Sequence, residues 1–327
     1  MIYVITPQKT MYYDKVNTEP TRELYQYNAG KPPKVKSGLN VSGLSDIYHE
    51  YNMDIQTDQF GFRREKTDPL KPTVIILGDS QTFGFGVLNP EAYPNLLDEM
   101  DNSCQIVNAG KPGAGLNHYV YYLKEMLASK NFKNIKQIII GLNMPGNDWN
   151  EMVSLSKKID PELSQFIPDS TEFLGKKKSL SSRAQELLFY SQAYTFMRFV
   201  VAPRLKHFVL GFTDLAKAEQ EEYEKTGPAV ETLIKLMQSA TKEKKIDIIF
   251  IFFPERPHYF KKPLTYIKNL QSFMNENGIK YLDLIPQFKE SYTKIDDFWL
   301  PIDGHFNASG HKFMAEAINK ANIISCR

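Results

Sequence analysis

The sequence predicts an α/β fold built on a parallel β-sheet, and three observations predict it. Short β-branched and apolar runs, of which Thr73 to Leu77 and Ile246 to Phe253 are the clearest, lack the polar alternation of a half-exposed strand. From Thr73 onward such runs alternate with helical periods, and strands separated by helices argue for parallel pairing with right-handed crossovers. The first run stops abruptly at Gly78-Asp79 with Ser80 behind it, and loops past the carboxyl ends of parallel strands form the ligand crevice.

Residues 1–70 are polar, Tyr-rich and broken by Pro20, Gly30, Pro32-Pro33 and Gly38, which reads as an irregular extension packing on the main domain. Within it, Tyr51 to Arg63 reads as a strand and turn leading towards the core. The first strand, Thr73 to Leu77, is followed by a helix start at Asn89-Pro90-Glu91, with a capping Asn and Pro at the first position. Gln105 to Asn108 is the second strand, ending in a glycine-rich loop from Ala109 to Gly115, and a helix covers about 117–130. Lys136 to Ile140 is the third strand, ending at a loop from Gly141 to Asp148. The alternation then stops over about 149–226, too long for an ordinary connection, and this stretch reads as a mainly helical insertion. It contains a helix from Ser181 to Val201 and a charged helix from Asp214 to Lys225, and it serves either as a lid or as a structural decoration. A helix from Pro228 to Lys245 feeds the fourth strand, Ile246 to Phe253. A helix over 263–277, a fifth strand from Lys280 to Leu284 and a closing helix from Ala308 complete a domain spanning 71–327.

Charge and composition exclude several classes. Forty Lys and Arg against 38 Asp and Glu leave a net charge of +2, with no basic footprint for nucleic acid. No stretch reaches the roughly 18–20 apolar residues that span a bilayer. Cys104 and Cys326 are too few for a disulfide framework and lack zinc-site spacing, so they leave the redox compartment open.

Four loops on one sheet edge carry the chemistry. Ser80 offers a hydroxyl, Gly110-Lys111-Pro112-Gly113 offers backbone N–H groups, Asn143 or Asn147 an amide, and Asp303 with His305 a carboxylate and an imidazole. A serine nucleophile needs a base, a group to orient that base, and donors for the developing oxyanion. The glycines around Ser80 do not make a P-loop, because the Gly-Lys-Ser/Thr ending is missing. Thr82 stands where a nucleophile elbow has its second glycine. Asp303, His305 and His311 do not have a standard zinc spacing, and His118 reads as structural. Arg256 and His258 follow the fourth strand on the same edge, as substrate contacts or as part of a local salt bridge.

These blocks resemble the SGNH hydrolases, or GDSL-type lipases and acylhydrolases. The likeness lies in Gly78-Asp79-Ser80, in Asn108-Ala109-Gly110 with Gly113, in Gly141-Leu142-Asn143, and in Asp303-Gly304-His305 with Asn307 and Gly310. It implies a three-layer α/β/α sandwich around a five-stranded parallel sheet of flavodoxin-like type. It implies Ser80 as nucleophile, His305 as base and Asp303 as its orienting acid. Ser80 and Gly113 N–H groups with the Asn143 side chain would form the oxyanion hole, Asn147 being the second candidate. No metal or cofactor is implied, and the substrate would be a small-molecule or glycan ester. One residue separates Asp303 from His305 where the family commonly has two, which resembles the branch of polysaccharide acetylesterases and O-acetyltransferases. A bacterial extracytoplasmic setting, periplasmic or membrane-anchored, follows from that likeness, with a cytoplasmic one left open. The expected activity is a serine esterase releasing a small acyl group such as acetyl through an acyl-Ser80 intermediate. The alternatives are an O-acetyltransferase with the same triad and, in another class, a non-catalytic carbohydrate-binding or scaffold protein.

Overall fold

The structure, a computed structural model, describes residues 24–26, 32, 34–44, 50–101, 103–129, 132, 134–144, 215–254, 256, 265–301 and 303–326. Ahead of the main sheet, β1 (Tyr25–Gln26) pairs antiparallel with β2 (Lys34–Val35), and β3 (Asn40–Leu44) with β4 (Met53–Gln56). The segment expected to be irregular is therefore partly built of hairpins. In β4 the side chains of Met53 and Ile55 turn inward and those between them do not, the period-2 pattern of a half-buried strand.

The main sheet consists of β5 (Thr73–Leu77), β6 (Gln105–Asn108), β7 (Ile135–Met144), β8 (Asp247–Pro254) and β9 (Tyr281–Asp283). All pairs are parallel, in the order β6-β5-β7-β8-β9. This is the flavodoxin-like order 2-1-3-4-5, whose switch point lies between its first and third strands, here β5 and β7. Ser80 and Asn143 stand at the carboxyl ends of these two strands, where open sheets of this order form their crevice.

Helices form the outer layers. These are α1 (Ser80–Phe83), α2 (Tyr93–Met100), α3 (Leu116–Ala128), α4 (Leu215–Glu243), α5 (Thr265–Glu276), α6 (Ile285–Ser291) and α7 (Ala308–Lys320). α4 packs between α3 and α5, while α2 packs with α7. The core between the layers is aliphatic around β5 and β7 and aromatic at Phe250, Phe252, Phe253, Phe288 and Phe306.

Three elements differ from expectation. β7 continues to Met144 rather than ending at Ile140, because β8 supplies ladder partners as far as Pro254. The expected break before Pro228 is absent: α4 runs through it. Proline removes one helical hydrogen bond, and the buried Val230, Leu233, Ile234 and Met237 hold the helix against the core. The α6 helix was not legible as a helix, although Pro286 at its first turn is a helix-start residue. The two cysteines form one disulfide, Cys104–Cys326, tying the chain end to the approach to β6 with a Cα–Cα distance of 5.8 Å. The stretch 145–214, with the expected helix from Ser181 to Val201, lies outside the described residues. No helix among the described residues is long and apolar enough to cross a membrane.

Candidate active site

Ser80 is the first residue of α1, which follows the end of β5 at Leu77 after Gly78 and Asp79. Asp79 caps this helix, its carboxylate accepting the Gln81 N–H at 2.9 Å. The cap therefore falls on Asp79, and the Ser80 hydroxyl is left for another partner. That partner is His305, whose Nε2 lies 2.8 Å from Ser80 Oγ across 225 residues of sequence. His305 Nδ1 is hydrogen-bonded to Asp303 Oδ1, which also accepts the His305 backbone N–H at 3.2 Å.

The short Asp303-Gly304-His305 spacing has a local cause. Gly304 has φ +86°, a left-handed conformation that costs glycine little, and it lets the flanking side chains meet in one turn. A Cβ at Gly304 would also collide with the Arg256 guanidinium. Arg256 Nη2 donates to the Asp303 carbonyl at 2.6 Å. Gln81 secures the turn from the side of α1, its Oε1 accepting the Phe306 N–H at 2.8 Å. The Phe85 ring lies 5.0 Å from the imidazole.

The glycine-rich loop packs against α1. A Cβ at Gly110 would run into the backbone of Thr82 and Phe83, so this approach requires glycine. Lys111 N–H donates to the Gly78 carbonyl at 2.9 Å, and the Ala114 N–H closes a turn on Lys111 with Gly113 exposed at its tip. Lys111 Nζ lies 4.9 Å from the centre of the Tyr122 ring, and burial lowers its pKa to about 8. Asn143, the penultimate residue of β7, is buried and donates from Nδ2 to Asp79 Oδ2 at 2.9 Å. Asn147 and His258 lie outside the described residues.

The electrostatics suit proton transfer. Burial pushes the His305 pKa down, but the charge and hydrogen bond of Asp303, with Asp79 behind, outweigh it and leave the imidazole raised. For Asp303 burial acts upward, and His305 and Arg256 overcome it to hold the carboxyl below its ordinary range. Asp79 is raised by burial despite its bonds from Asn143 and Gln81. A hydroxyl on an imidazole whose second nitrogen is fixed by a buried carboxylate is the arrangement that activates a serine.

Both ring nitrogens of His305 are engaged, which leaves neither for a metal. His311 is packed in the core, its Nδ1 accepting the Tyr93 N–H at 3.3 Å, and burial lowers its pKa to about 3. His118 Nδ1 accepts the Gly115 N–H, as a structural histidine does. Two residues behind α1 escaped the sequence reading. Gln81 gave no signal. Nor did Arg63, which follows Phe62 but opens the charged run Arg63-Arg64-Glu65-Lys66. Fully buried, it directs all five guanidinium N–H groups to oxygen: Phe83 O, Gly84 O, Val87 O, Asp54 O and Asn89 Oδ1.

No family model matches the sequence, and no curated protein matches it. Solved structures do match. One is a member of the lipolytic protein G-D-S-L family from Veillonella parvula DSM 2008, at 12% identity and TM-score 0.42, over 77% of this chain and 99% of that one. Another is a putative lipolytic protein of the G-D-S-L family from Desulfitobacterium hafniense DCB-2, at 16% and 0.41, over 76% and 98%. A third is AlinE4, an SGNH-hydrolase family esterase, at 12% and 0.38, over 79% and 100%. These proteins are what the chain is similar to, at a distance that leaves its chemistry to be read from its own residues.

Proposed function

We propose that the chain is a serine esterase, and the observation that carries this reading is the Ser80–His305–Asp303 relay, with Ser80 Oγ 2.8 Å from His305 Nε2. Ser80 Oγ attacks the ester carbonyl while His305 Nε2 takes its proton, and Asp303 holds the Nδ1–H tautomer and stabilises the imidazolium. The oxyanion is received by the N–H groups of Ser80 and Gly113 and by Asn143 Nδ2. Asn143 gives one amide hydrogen to Asp79, and that bond orients the other towards the oxyanion. The intermediate collapses, the alcohol leaves with the proton from His305, and the acyl group stays on Ser80. Water, deprotonated by His305, then releases the acid and restores the hydroxyl.

The substrate in this reading is a small acyl ester, such as an acetyl group on a carbohydrate or envelope component. The one-residue Asp-Gly-His spacing supports it, through its likeness to the acetylesterase and O-acetyltransferase branch. A sugar hydroxyl replacing water in the second step would make the same site a transferase. The domain that performs the reaction in this reading spans 71–327, and the described residues ahead of it pack against it at Phe83, Phe85 and Leu300.

A fluorophosphonate probe labels Ser80, and Ser80→Ala abolishes both labelling and turnover of a short-chain aryl ester. Supplying sugar acceptors to the acyl-enzyme separates hydrolysis from transfer. A folded protein that neither labels nor turns over any ester sinks the esterase reading in favour of a binding or scaffold role.

A further inference from the structure

The segment ahead of β5 reaches three of the four loops of the site. Arg63 holds the carbonyls of Phe83 and Gly84 at the end of α1, and the Tyr25 hydroxyl donates to the Pro112 carbonyl in the glycine-rich loop. Glu50 Oε2 accepts the backbone N–H of Asp303 at 2.9 Å. The segment also has a small apolar core of its own, built from Tyr25, Val35, Leu44, Tyr51, Met53 and Ile55. Among the described residues, this core meets the rest of the chain at Phe83, Phe85 and Leu300. Two of these flank the exit of α1, and the third stands three residues before Asp303.

We propose that Glu50 is a positioning residue for the Asp303-Gly304-His305 turn, acting with Arg256 to grip Asp303 through both of its peptide groups. This rests on the triad reading above. The Asp303 carboxylate has one oxygen on His305, while Oδ2 is buried and makes no hydrogen bond among the described residues. A carboxylate held through one oxygen takes its aim from its backbone. The backbone of Asp303 is fixed by Glu50 at its N–H and by Arg256 Nη2 at its carbonyl. The following N–H, that of Gly304, is bonded to Leu300 O, and Leu300 N–H to His305 O. Without Glu50 the Asp303 N–H is left without that acceptor, the peptide on the amino side of Asp303 loses its restraint while Arg256 still holds the carbonyl, and Oδ1 shifts from its line to Nδ1. Small misplacements of a reacting group cost about 100-fold in rate.

The test compares Glu50→Ala, Glu50→Gln and Val41→Ala, the last trimming the same small core without touching Asp303. Glu50→Ala is expected to lower kcat on a short-chain aryl ester by about 100-fold, with KM within about threefold. Glu50→Gln, whose amide oxygen accepts the same N–H, recovers most of that loss, and Val41→Ala changes melting temperature more than kcat. Equal losses in Glu50→Ala and Val41→Ala, or no loss in Glu50→Ala, overturn the proposal. A second readout does not depend on turnover. In Ser80→Ala protein, the low-field proton resonance of the His305 Nδ1–H···Asp303 bond should vanish or shift on adding Glu50→Ala and persist with Glu50→Gln. An unchanged resonance in the Glu50→Ala background overturns the positioning role, whether or not the chain proves to be an esterase.

Discussion

The amide nitrogen of Asn143 donates to the carboxylate of Asp79 at 2.9 Å, joining the carboxyl ends of β5 and β7 at the switch point of the sheet. One carboxylate thus caps the helix carrying Ser80 and turns the amide proposed to receive the oxyanion. Loss of an oxyanion donor costs on the order of 10²–10³ in kcat. Asn143→Ala is expected to fall by that amount in steady-state kinetics with KM little changed. A drop confined to KM would remove Asn143 from the oxyanion hole.

Gly304 is tied to Arg256 by contact as well as by conformation. Gly304→Ala must adopt an unfavourable positive φ and displace the guanidinium, for a stability cost of about 1–3 kcal/mol. Activity should fall further than stability, because the turn aligns Asp303 with His305. In a double-mutant cycle with Arg256→Ala, denaturant midpoints and kcat should be non-additive, since removing the guanidinium relieves the collision. Strict additivity would mean the two residues do not sense each other.

The pH dependence follows from the sign of the His305 shift. The base works when neutral, and its pKa lies above the ordinary histidine value of about 6.5. The acidic limb of kcat/KM should therefore have its midpoint above that value, with activity rising as pH rises. Asp303, Asp79, Arg256 and His311 are the charged or titratable groups that act on it. Asp79→Asn removes a negative charge and should move the midpoint down, whereas Arg256→Gln removes a positive charge and should move it up. Midpoints that move the other way, or stay fixed in both variants, would contradict the assignment of the limb to His305.

The Cys104–Cys326 bridge closes a loop between residues 222 apart in sequence. Chain-entropy reasoning assigns a cross-link of that span about 5 kcal/mol of stabilisation. Cys326→Ser should lower the urea midpoint substantially while leaving the initial rate of ester turnover at low temperature near that of the parent, because the bridge is remote from the loops of the site. Mass analysis with and without reductant checks that the bond is present. Two free thiols in protein prepared under oxidising conditions would be decisive against it.

Much of the sheet was legible because β5 and β6 are short runs buried along their whole length and β7 and β8 are buried over most of theirs, and burial writes itself into composition. Thr73–Leu77 and Gln105–Asn108 fall where their apolar and β-branched residues place them. The carboxyl end of β7 was not legible, since Gly141 and Asn143 carry turn propensity and only the adjacent β8 overrides it. The same holds for Pro228 inside α4, where tertiary burial outweighs a local breaker. At the site, the residues with distinctive chemistry could be read from sequence, whereas those that hold them in place could not. Gln81, Glu50 and Tyr25 are ordinary polar residues whose partners lie from 87 to 253 positions away. Nothing in local sequence announces a bond of that span.

The 225-residue separation of Ser80 from His305 also has a consequence for biosynthesis. At about 5–20 residues per second, roughly 10–45 s pass between the appearance of the hydroxyl and that of the imidazole. Throughout that interval the growing polypeptide lacks His305, the partner of the Ser80 hydroxyl. The proposed site is thus completed only after β9 and the Asp-Gly-His turn have been made, so its assembly falls at the end of synthesis of this sequence.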